Sequence, residues 1–398
     1  MPVDFEPDED QRMLLRALKD FVQAEVIPYQ DKFRSVFADE RRLLDAGGRL
    51  NADVLRVAGD IRRKSAKQGF YAMQMPEEVG GANVPKTTQM LALRDVFSIG
   101  LGFSMPVLAS VDGPGRMHLH MDERQRERYL KPLMTGEQTT CFALTEPGAG
   151  SDVRAIQTTA RKDGDSYVLN GNKHFVTNGP YAEFAVVFAK TDPEDKGYGG
   201  LSAFIVDRGT PGFVVEKPQD TIEGNGIQCE FRFEDCHVPA ENVLGGEGAG
   251  FLVALSSIND TRVWIGGMCL GLMRFSLGRA IEYAKQREAF GRPIGKYQGV
   301  SFMLADAALE CELAELLALK TAWMIDRGND PIKETSMTKL YATEALFRVA
   351  DAAIQVHGAM GVSRETELER ILRLARAARI FEGTSEMQRA TIAKTLGL

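Results

Sequence analysis

An α+β fold of three consecutive zones, helical, strand-forming and helical again, is predicted for this chain from three observations. An apolar period of three to four residues runs through the beginning, short turn-punctuated apolar runs replace it in the middle, and the helical period then returns and persists to the end. At 398 residues the chain exceeds what one hydrophobic core usually encloses, so two or three packed domains are expected. The zones place the domain boundaries at 1–137, 138–245 and 246–398.

In the first zone, from about Asp8 to Leu133, Leu14, Ala17, Leu18, Phe21 and Val22 recur as one face of an amphipathic helix, which Pro28 is expected to break. In the middle zone Cys141–Leu144, Phe184–Phe188, Phe204–Val206, Phe213–Val215 and Phe231–Phe233 read as short strands. Asn170-Gly171 is the pair that favours a type I′ hairpin turn. Strands with no helical pattern between them suggest an antiparallel barrel or sandwich. In the third zone Phe302, Ala305, Leu309, Leu313 and Leu316 mark a long apolar stripe, and 251–286, 332–358 and 384–396 read similarly, so a bundle of four or so helices is expected.

Composition narrows the function classes. A hydrophobic content of 44% and a charged content of 26% are those of an ordinary soluble protein, and a net charge of -7 argues against nucleic-acid binding, which needs a basic surface. The longest apolar run, Val263 to Met273, is too short to span a bilayer. Five cysteines in odd number, without CxxC spacing, suggest neither a disulfide framework nor a zinc site. The acidic start MPVDFEPDEDQR resembles neither a signal nor a transit peptide, so a cytoplasmic location is expected.

Several motifs invite chemistry and meet bland alternatives. Gly245–Gly250 and Gly358–Gly361 evoke nucleotide loops, yet neither sits in a βαβ unit, so a turn or a close helix approach is the simpler reading. Thr145–Asp152, TEPGAGSD, can present backbone N–H groups and hydroxyls to a ligand, or be a plain loop. The five histidines are scattered without a carboxylate cluster, and no Gly-x-Ser-x-Gly elbow occurs. Glu382 stands between Ile380-Phe381 and Gly383, just before Ser385 and Gln388 at capping-box spacing. A carboxylate beside apolar residues either favours a helix amino terminus or serves a ligand that Gly383 lets approach.

Five separated stretches occur in an order that resembles the acyl-CoA dehydrogenase family of flavoenzymes: CFALTEPGAGSD at 141–152, GNKHFVTNG at 171–179, REAFGRPIGKYQ at 287–298, QVHGAMG at 355–361 and FEGTSEMQR at 381–389. The resemblance covers nearly the whole chain and implies an amino-terminal helical domain, a middle antiparallel β-barrel and a carboxy-terminal four-helix bundle. It implies FAD as cofactor and Glu382 as the base that takes the α-proton of an acyl-CoA thioester, with hydride passing to the flavin and a trans-2-enoyl-CoA as product. It places Phe142, Leu144 and Thr145 along the flavin ring, Ser151 near the pyrophosphate and the CoA path, and Phe175 and Thr177 beside the flavin. Arg287, Phe290, Gln298, Gln355 and Gly358 would reach the FAD of a neighbouring subunit, and Thr384 and Glu386 the FAD on their own side. Asn259 and Arg262, in INDTR, match the helix that contacts CoA, and Gly383 lies at the substrate. A homotetramer built as a dimer of dimers, and an electron-transfer flavoprotein as acceptor, follow from the same resemblance.

Departures from the family pattern are Phe175 for the usual Trp, Ala359 for a common Gly, Phe381 for the frequent Tyr, and a Phe37–Leu55 segment longer than usual, which would reshape the acyl pocket or lengthen a surface loop. Thr261 occupies the position where some members carry an alternative base, which leaves Glu382 in that role. The uncharged stretch Phe97–Ser110 favours an apolar acyl group. The same resemblance admits an acyl-CoA oxidase or a β-eliminating, desulfinase-like member. A non-enzymatic alternative is a degenerate scaffold that binds CoA and flavin.

Overall fold

The computed structural model describes residues 5–195, 197 and 199–398. By internal packing they fall into two compact units, one of residues up to Asp39 with Val84–Leu108 and Thr261–Leu398, the other of Glu40–Asn83 with Ala109–Asp260.

The first unit is helical. The helix Glu9–Phe21 starts at a reciprocal cap, in which Asp8 accepts from the Gln11 N–H and the Gln11 side chain accepts from the Asp8 N–H, both at 2.9 Å. Pro28 does not break the helical path as the sequence suggests. One π-helical turn, Val22–Val26, leads into the helix Ile27–Phe37, whose first turn holds Pro28. The π-turn is closed by the Ile27 N–H on the Val22 carbonyl, and Pro28 follows at the second position of the next helix, where its fixed φ suits the start of a helix.

The centre of this unit is the helix Ile332–His357, against which Gln298–Asp326, Leu368–Ala378 and Ser385–Thr395 all pack. Ala342, Ala345, Leu346, Val349, Ala350 and Ala353 form its buried face. The helix Gln298–Asp326 corrects a second expectation. Its stripe of large apolar residues faces outward, with Phe302 60%, Leu309 57%, Leu313 45% and Leu316 53% exposed, and Ala305 also exposed. The buried face carries Ala307, Cys311, Ala314 and Ala318, small side chains that allow close approach to the neighbouring helix, with Leu319 beside them.

The second unit is built on an eight-stranded sheet of β1 (Thr140–Ala143), β2 (Thr159–Asp163), β3 (Ser166–Thr177), β4 (Phe184–Lys190), β5 (Leu201–Asp207), β6 (Phe213–Pro218), β7 (Gln228–Pro239) and β8 (Val243–Leu244). Its order is β6-β7-β3-β2-β4-β5-β8, with β1 paired to β4. The pairing is antiparallel as expected except at β4, which takes β1 and the start of β2 in parallel. Alternation along β4 and β5 feeds two cores. Phe184, Val186, Phe188, Ala203 and Ile205 pack with Tyr129, Leu130 and Leu133, while Ala185, Val187, Ala189, Phe204 and Val206 pack with Phe231 and Phe233.

Asn170-Gly171 is not a hairpin turn. The β2–β3 turn is at residues 164–165, and Asn170-Gly171 lies inside β3, where the register against β7 shifts. Gly171 sits at φ +145°, and a Cβ there would come within 2.5–2.8 Å of Thr158. The Asn170 side chain exchanges two hydrogen bonds with Asp235, itself at φ 45°. The pair thus marks a β-bulge, the other place where a chain uses positive φ.

The segment after Phe37 is an ordered turn of the sheet unit from Glu40 onward. Asp45 accepts from the Gly47 and Arg49 N–H groups, and the Tyr181 hydroxyl joins the Leu50 N–H (2.7 Å) to the Gly226 carbonyl (2.8 Å). Among the described residues no helix is long and apolar enough to cross a membrane.

Candidate active site

Glu382 lies in the turn between the helices Leu368–Ala378 and Ser385–Thr395. It is a non-glycine residue at φ 53°, followed by Gly383 at φ 88°, so the turn runs through two successive left-handed residues. That conformation is costly for glutamate and open to Gly383, where a Cβ would come 2.8 Å from Gln388 Nε2.

Donors converge on the carbonyls of this turn. The Glu382 carbonyl accepts from Arg262 Nε and Gln388 Nε2, each at 3.3 Å, and the Gly383 carbonyl accepts from Lys339 Nζ at 2.7 Å and Gln388 Nε2 at 3.0 Å. Lys339 and Gln388 are fully buried. Among the described residues no carbonyl accepts the Glu382 N–H.

Burial lifts the Glu382 carboxyl to about 7, against the opposing pull of Arg262 and Lys339. Burial likewise pushes the Lys339 ammonium down to about 8. A carboxyl poised near neutrality in an apolar setting is a competent general base toward a weak acid. The helix that follows is capped by Thr384, whose hydroxyl accepts from the Met387 N–H at 3.2 Å, and not by the Ser385–Gln388 pair that the spacing suggests. Ser385 instead donates to Glu344 at 2.8 Å, and Glu344 holds Arg379 at 2.9 Å, which anchors both ends of the turn to the central helix.

The second unit presents the other candidate residues around one buried ion pair. Lys173 of β3, wholly buried, binds Glu146 at 2.7 Å and the Leu144 carbonyl at 3.0 Å, and Glu146 also accepts from the Gln157 and Thr158 N–H groups at 2.7 and 3.0 Å. Burial pushes Lys173 down to about 8, while the lysine and its amide donors hold Glu146 below the ordinary carboxylate value. With Glu146 turned inward, Gly148, Gly150 and Ser151 of the same loop stay exposed and Thr145 half-exposed. Phe142 packs on Phe188, Leu144 is buried, and Thr177 is half-buried at the end of β3. Phe175 is 54% exposed at φ 52°, its N–H bonded to Gln219 and its ring 4.2 Å from that of His174.

The remaining predicted residues lie on surfaces. Phe290 is 96% exposed at φ 51° in the small hairpin of Glu288–Ala289 and Arg292–Pro293, while Arg287, Gln298, Gln355, Gly358, Asn259 and Glu386 are exposed too. The structure therefore gathers Arg262, Glu382, Gly383 and Thr384 at one turn, and Phe142, Leu144, Thr145, Ser151, Phe175 and Thr177 at one end of the sheet unit.

Sequence reasoning missed Lys173, Glu146, Lys339 and Gln388. Lys339 carried a signal: with Ser336, Thr343 and Leu346 it falls at helical spacing on a face that is otherwise small or apolar, and a lysine there must be paired.

Comparison with known proteins agrees along the whole chain. The family model of the acyl-CoA dehydrogenase N-terminal domain matches residues 8–137, that of the middle domain 141–236, and that of the C-terminal domain 248–397. The chain is 38% identical over 389 residues to the short-chain specific acyl-CoA dehydrogenase, mitochondrial, of Homo sapiens, covering 97% of this chain and 89% of that protein. It is 37% identical over 340 residues to the caffeyl-CoA reductase-Etf complex subunit CarC of Acetobacterium woodii, covering 85% and 89%. The butyryl-CoA dehydrogenase structure from Megasphaera elsdenii superposes with a TM-score of 0.86 at 31% identity, covering 100% of both chains.

Fold and relatives thus define an oxidoreductase, and its site carries a half-buried carboxylate at Glu382. The chain belongs to the acyl-CoA dehydrogenase family, and its members are FAD-dependent flavoproteins. The residues present suit that cofactor. An aromatic ring held exposed on strained backbone beside Thr177, next to a loop whose glycines and hydroxyls point outward from an internal anchor, is what a flat ring with a phosphate tail can cover.

Proposed function

We propose that this protein catalyses α,β-dehydrogenation of an acyl-CoA thioester to the trans-2-enoyl-CoA and passes the electrons to an electron-transfer flavoprotein. The observation that carries the reading is the Glu382 turn: a carboxyl poised near pH 7, beside a backbone N–H that no carbonyl among the described residues takes. FAD, when bound, supplies the acceptor for the β-hydrogen and its electron pair.

Phe142, Leu144, Thr145, Ser151, Phe175 and Thr177 would hold it, with Thr384 and Glu386 alongside. The Glu382 carboxylate takes the α-proton, and its N–H donates to the thioester oxygen as negative charge grows there. Gly383, Asn259 and Arg262 contribute to the substrate path, and the absence of charge in Phe97–Ser110 suits an apolar acyl group. The electron-transfer flavoprotein is supported by the Etf-complex relative. We place the domains at 1–137, 138–245 and 246–398 and the protein in the cytoplasm.

A homotetramer belongs to the same proposal. The outward stripe Phe302, Leu309, Leu313 and Leu316 is a long apolar face of a kind that subunit contacts cover, and Arg287, Phe290, Gln298, Gln355 and Gly358 are free to meet a neighbour's FAD. Leu309→Glu with Leu316→Glu is expected to lower the mass seen by light scattering from tetramer to smaller species and to release FAD. A wild type that sedimented as a monomer would remove the tetramer.

The function is tested anaerobically by mixing the purified protein with saturated acyl-CoAs, branched and cyclic ones included, and following flavin absorbance. Bleaching by one thioester, with turnover on an artificial acceptor and little on oxygen, is the expected result. Turnover on oxygen would make it an oxidase, and a flavin left oxidised by every thioester would defeat the dehydrogenase reading.

A further inference from the structure

The Glu382–Gly383 turn is held from its carbonyl side by residues that no step of the proposed chemistry requires. Lys339 Nζ and Gln388 Nε2 meet the Gly383 carbonyl at 2.7 and 3.0 Å, and Gln388 Nε2 also lies 3.3 Å from the Glu382 carbonyl. Because peptide groups are planar, fixing these two carbonyls fixes the peptide planes on both sides of the Gly383 Cα, and so the course of the turn. A free chain would leave the left-handed region at Glu382 readily, since it disfavours any residue with a Cβ.

Burying an ammonium is also costly, and a buried lysine kept at this place without a carboxylate hydrogen bond needs a reason. Its hydrogen bond is to a main-chain carbonyl, and its charge favours the ionised form of the Glu382 carboxyl. We propose that Lys339 and Gln388 are positioning residues for the base: together they lock the turn in the conformation that presents the Glu382 carboxylate and its N–H to one thioester, and Lys339 adds a positive charge held at the turn by its bond to the Gly383 carbonyl. The inference rests on the proposed dehydrogenation for its kinetic consequence, but the geometry of the lock does not depend on it.

The ionisable groups around the lock come from each helix that touches it. Arg262 and Cys269 belong to Gly250–Gln286, Lys339 and Glu344 to Ile332–His357, and Arg379 follows Leu368–Ala378 and is already bound to Glu344. Burial pushes the Cys269 thiol up to about 12, so it stays neutral, and Arg262 stays charged. With Glu344 committed to Arg379 and Ser385, Lys339 and Arg262 are the cations whose removal Glu382 would feel.

The test compares wild type with Lys339→Met, which removes both bond and charge, and Gln388→Leu, which removes bonds and leaves the charge. Two quantities are read: the rate of anaerobic flavin reduction by the best acyl-CoA, and the titration of the Glu382 carboxyl in the apoprotein by infrared difference against Glu382→Gln. Lys339→Met is expected to slow reduction by about 10-fold or more and to move the carboxyl titration to higher pH. Gln388→Leu is expected to slow reduction while leaving the titration in place.

If both variants reduce and titrate as wild type does, the proposal fails. If Lys339→Met does not fold, Gln388→Leu decides alone, with slowed reduction at an unmoved titration in favour and a wild-type rate against. If no thioester reduces the wild-type flavin, the dehydrogenation reading falls by itself. The apoprotein titration then still judges the lock, an upward shift in Lys339→Met supporting it and no shift overturning it.

Discussion

Replacing Glu382 by Gln is expected to leave the flavin oxidised by an acyl-CoA that bleaches the wild type, with the reduction rate down by roughly 10²–10⁴-fold. Gln keeps the shape of the side chain and the backbone donors of the turn but cannot take a proton. Wild-type reduction should rise with pH through about 7, where the carboxyl loses its proton. Retention of a wild-type rate in the variant would place the base elsewhere.

The same raised carboxyl has a stability consequence of known sign. The folded state holds a proton at Glu382 that the unfolded chain releases near its ordinary value of 4.5, so stability falls as pH rises from about 4.5 to about 7 and stays lowered above. Glu382→Gln should therefore match the wild type near pH 4 and exceed it above pH 7, by as much as about 3 kcal/mol. Unfolding midpoints measured at pH 5 and pH 8 check this. Parallel pH profiles for the two proteins would mean that burial does not raise the carboxyl.

The second large effect is expected at Lys173→Met. Met fills a similar volume but leaves Glu146 buried without its cation and the Leu144 carbonyl without its donor, a loss on the order of 3–5 kcal/mol. Adding Glu146→Gln should recover part of this by removing the stranded charge. Recovery is incomplete because the Gln157 and Thr158 N–H groups also rely on the carboxylate. Urea unfolding of the single and double variants measures both, and a single variant within 1 kcal/mol of wild type would show that the pair is not structural. Since Lys173 also sets the start of the Thr145–Ser151 loop, the single variant is expected to lose FAD on dilution before it unfolds.

The place of Glu382, in a turn just before the last helix, was legible from FEGTSEMQR, but the part of a base came only with the family resemblance, because a carboxylate there also suits a helix amino terminus. Its raised pKa was not legible, because it depends on how completely the surrounding helices close over the carboxyl. Lys173 and Lys339 stayed hidden for a related reason. A lysine in a sequence reads as surface, and only the carbonyls and carboxylates brought to it from distant segments make burial tolerable. Asn170-Gly171 was recognised as a place of positive φ, but whether such a pair ends a strand or bulges it is decided by the strand alongside, β7.

The sequence by itself determined the order of helices, strands and helices and the position of the carboxylate turn. Apolar period, turn residues and helix caps act over a few residues, so they survive in the one-dimensional record. Only the tertiary structure decided which face of Gln298–Asp326 is inside, because its small residues and its large residues both repeat with helical spacing and only a packing partner chooses between them. It also decided that Pro28 leaves the helical path unbroken, and that Arg262, Lys339 and Gln388, far apart along the chain, close on the carbonyls of residues 382 and 383. Those outcomes are set by contacts between segments remote in sequence, where burial and pairing outweigh local preference.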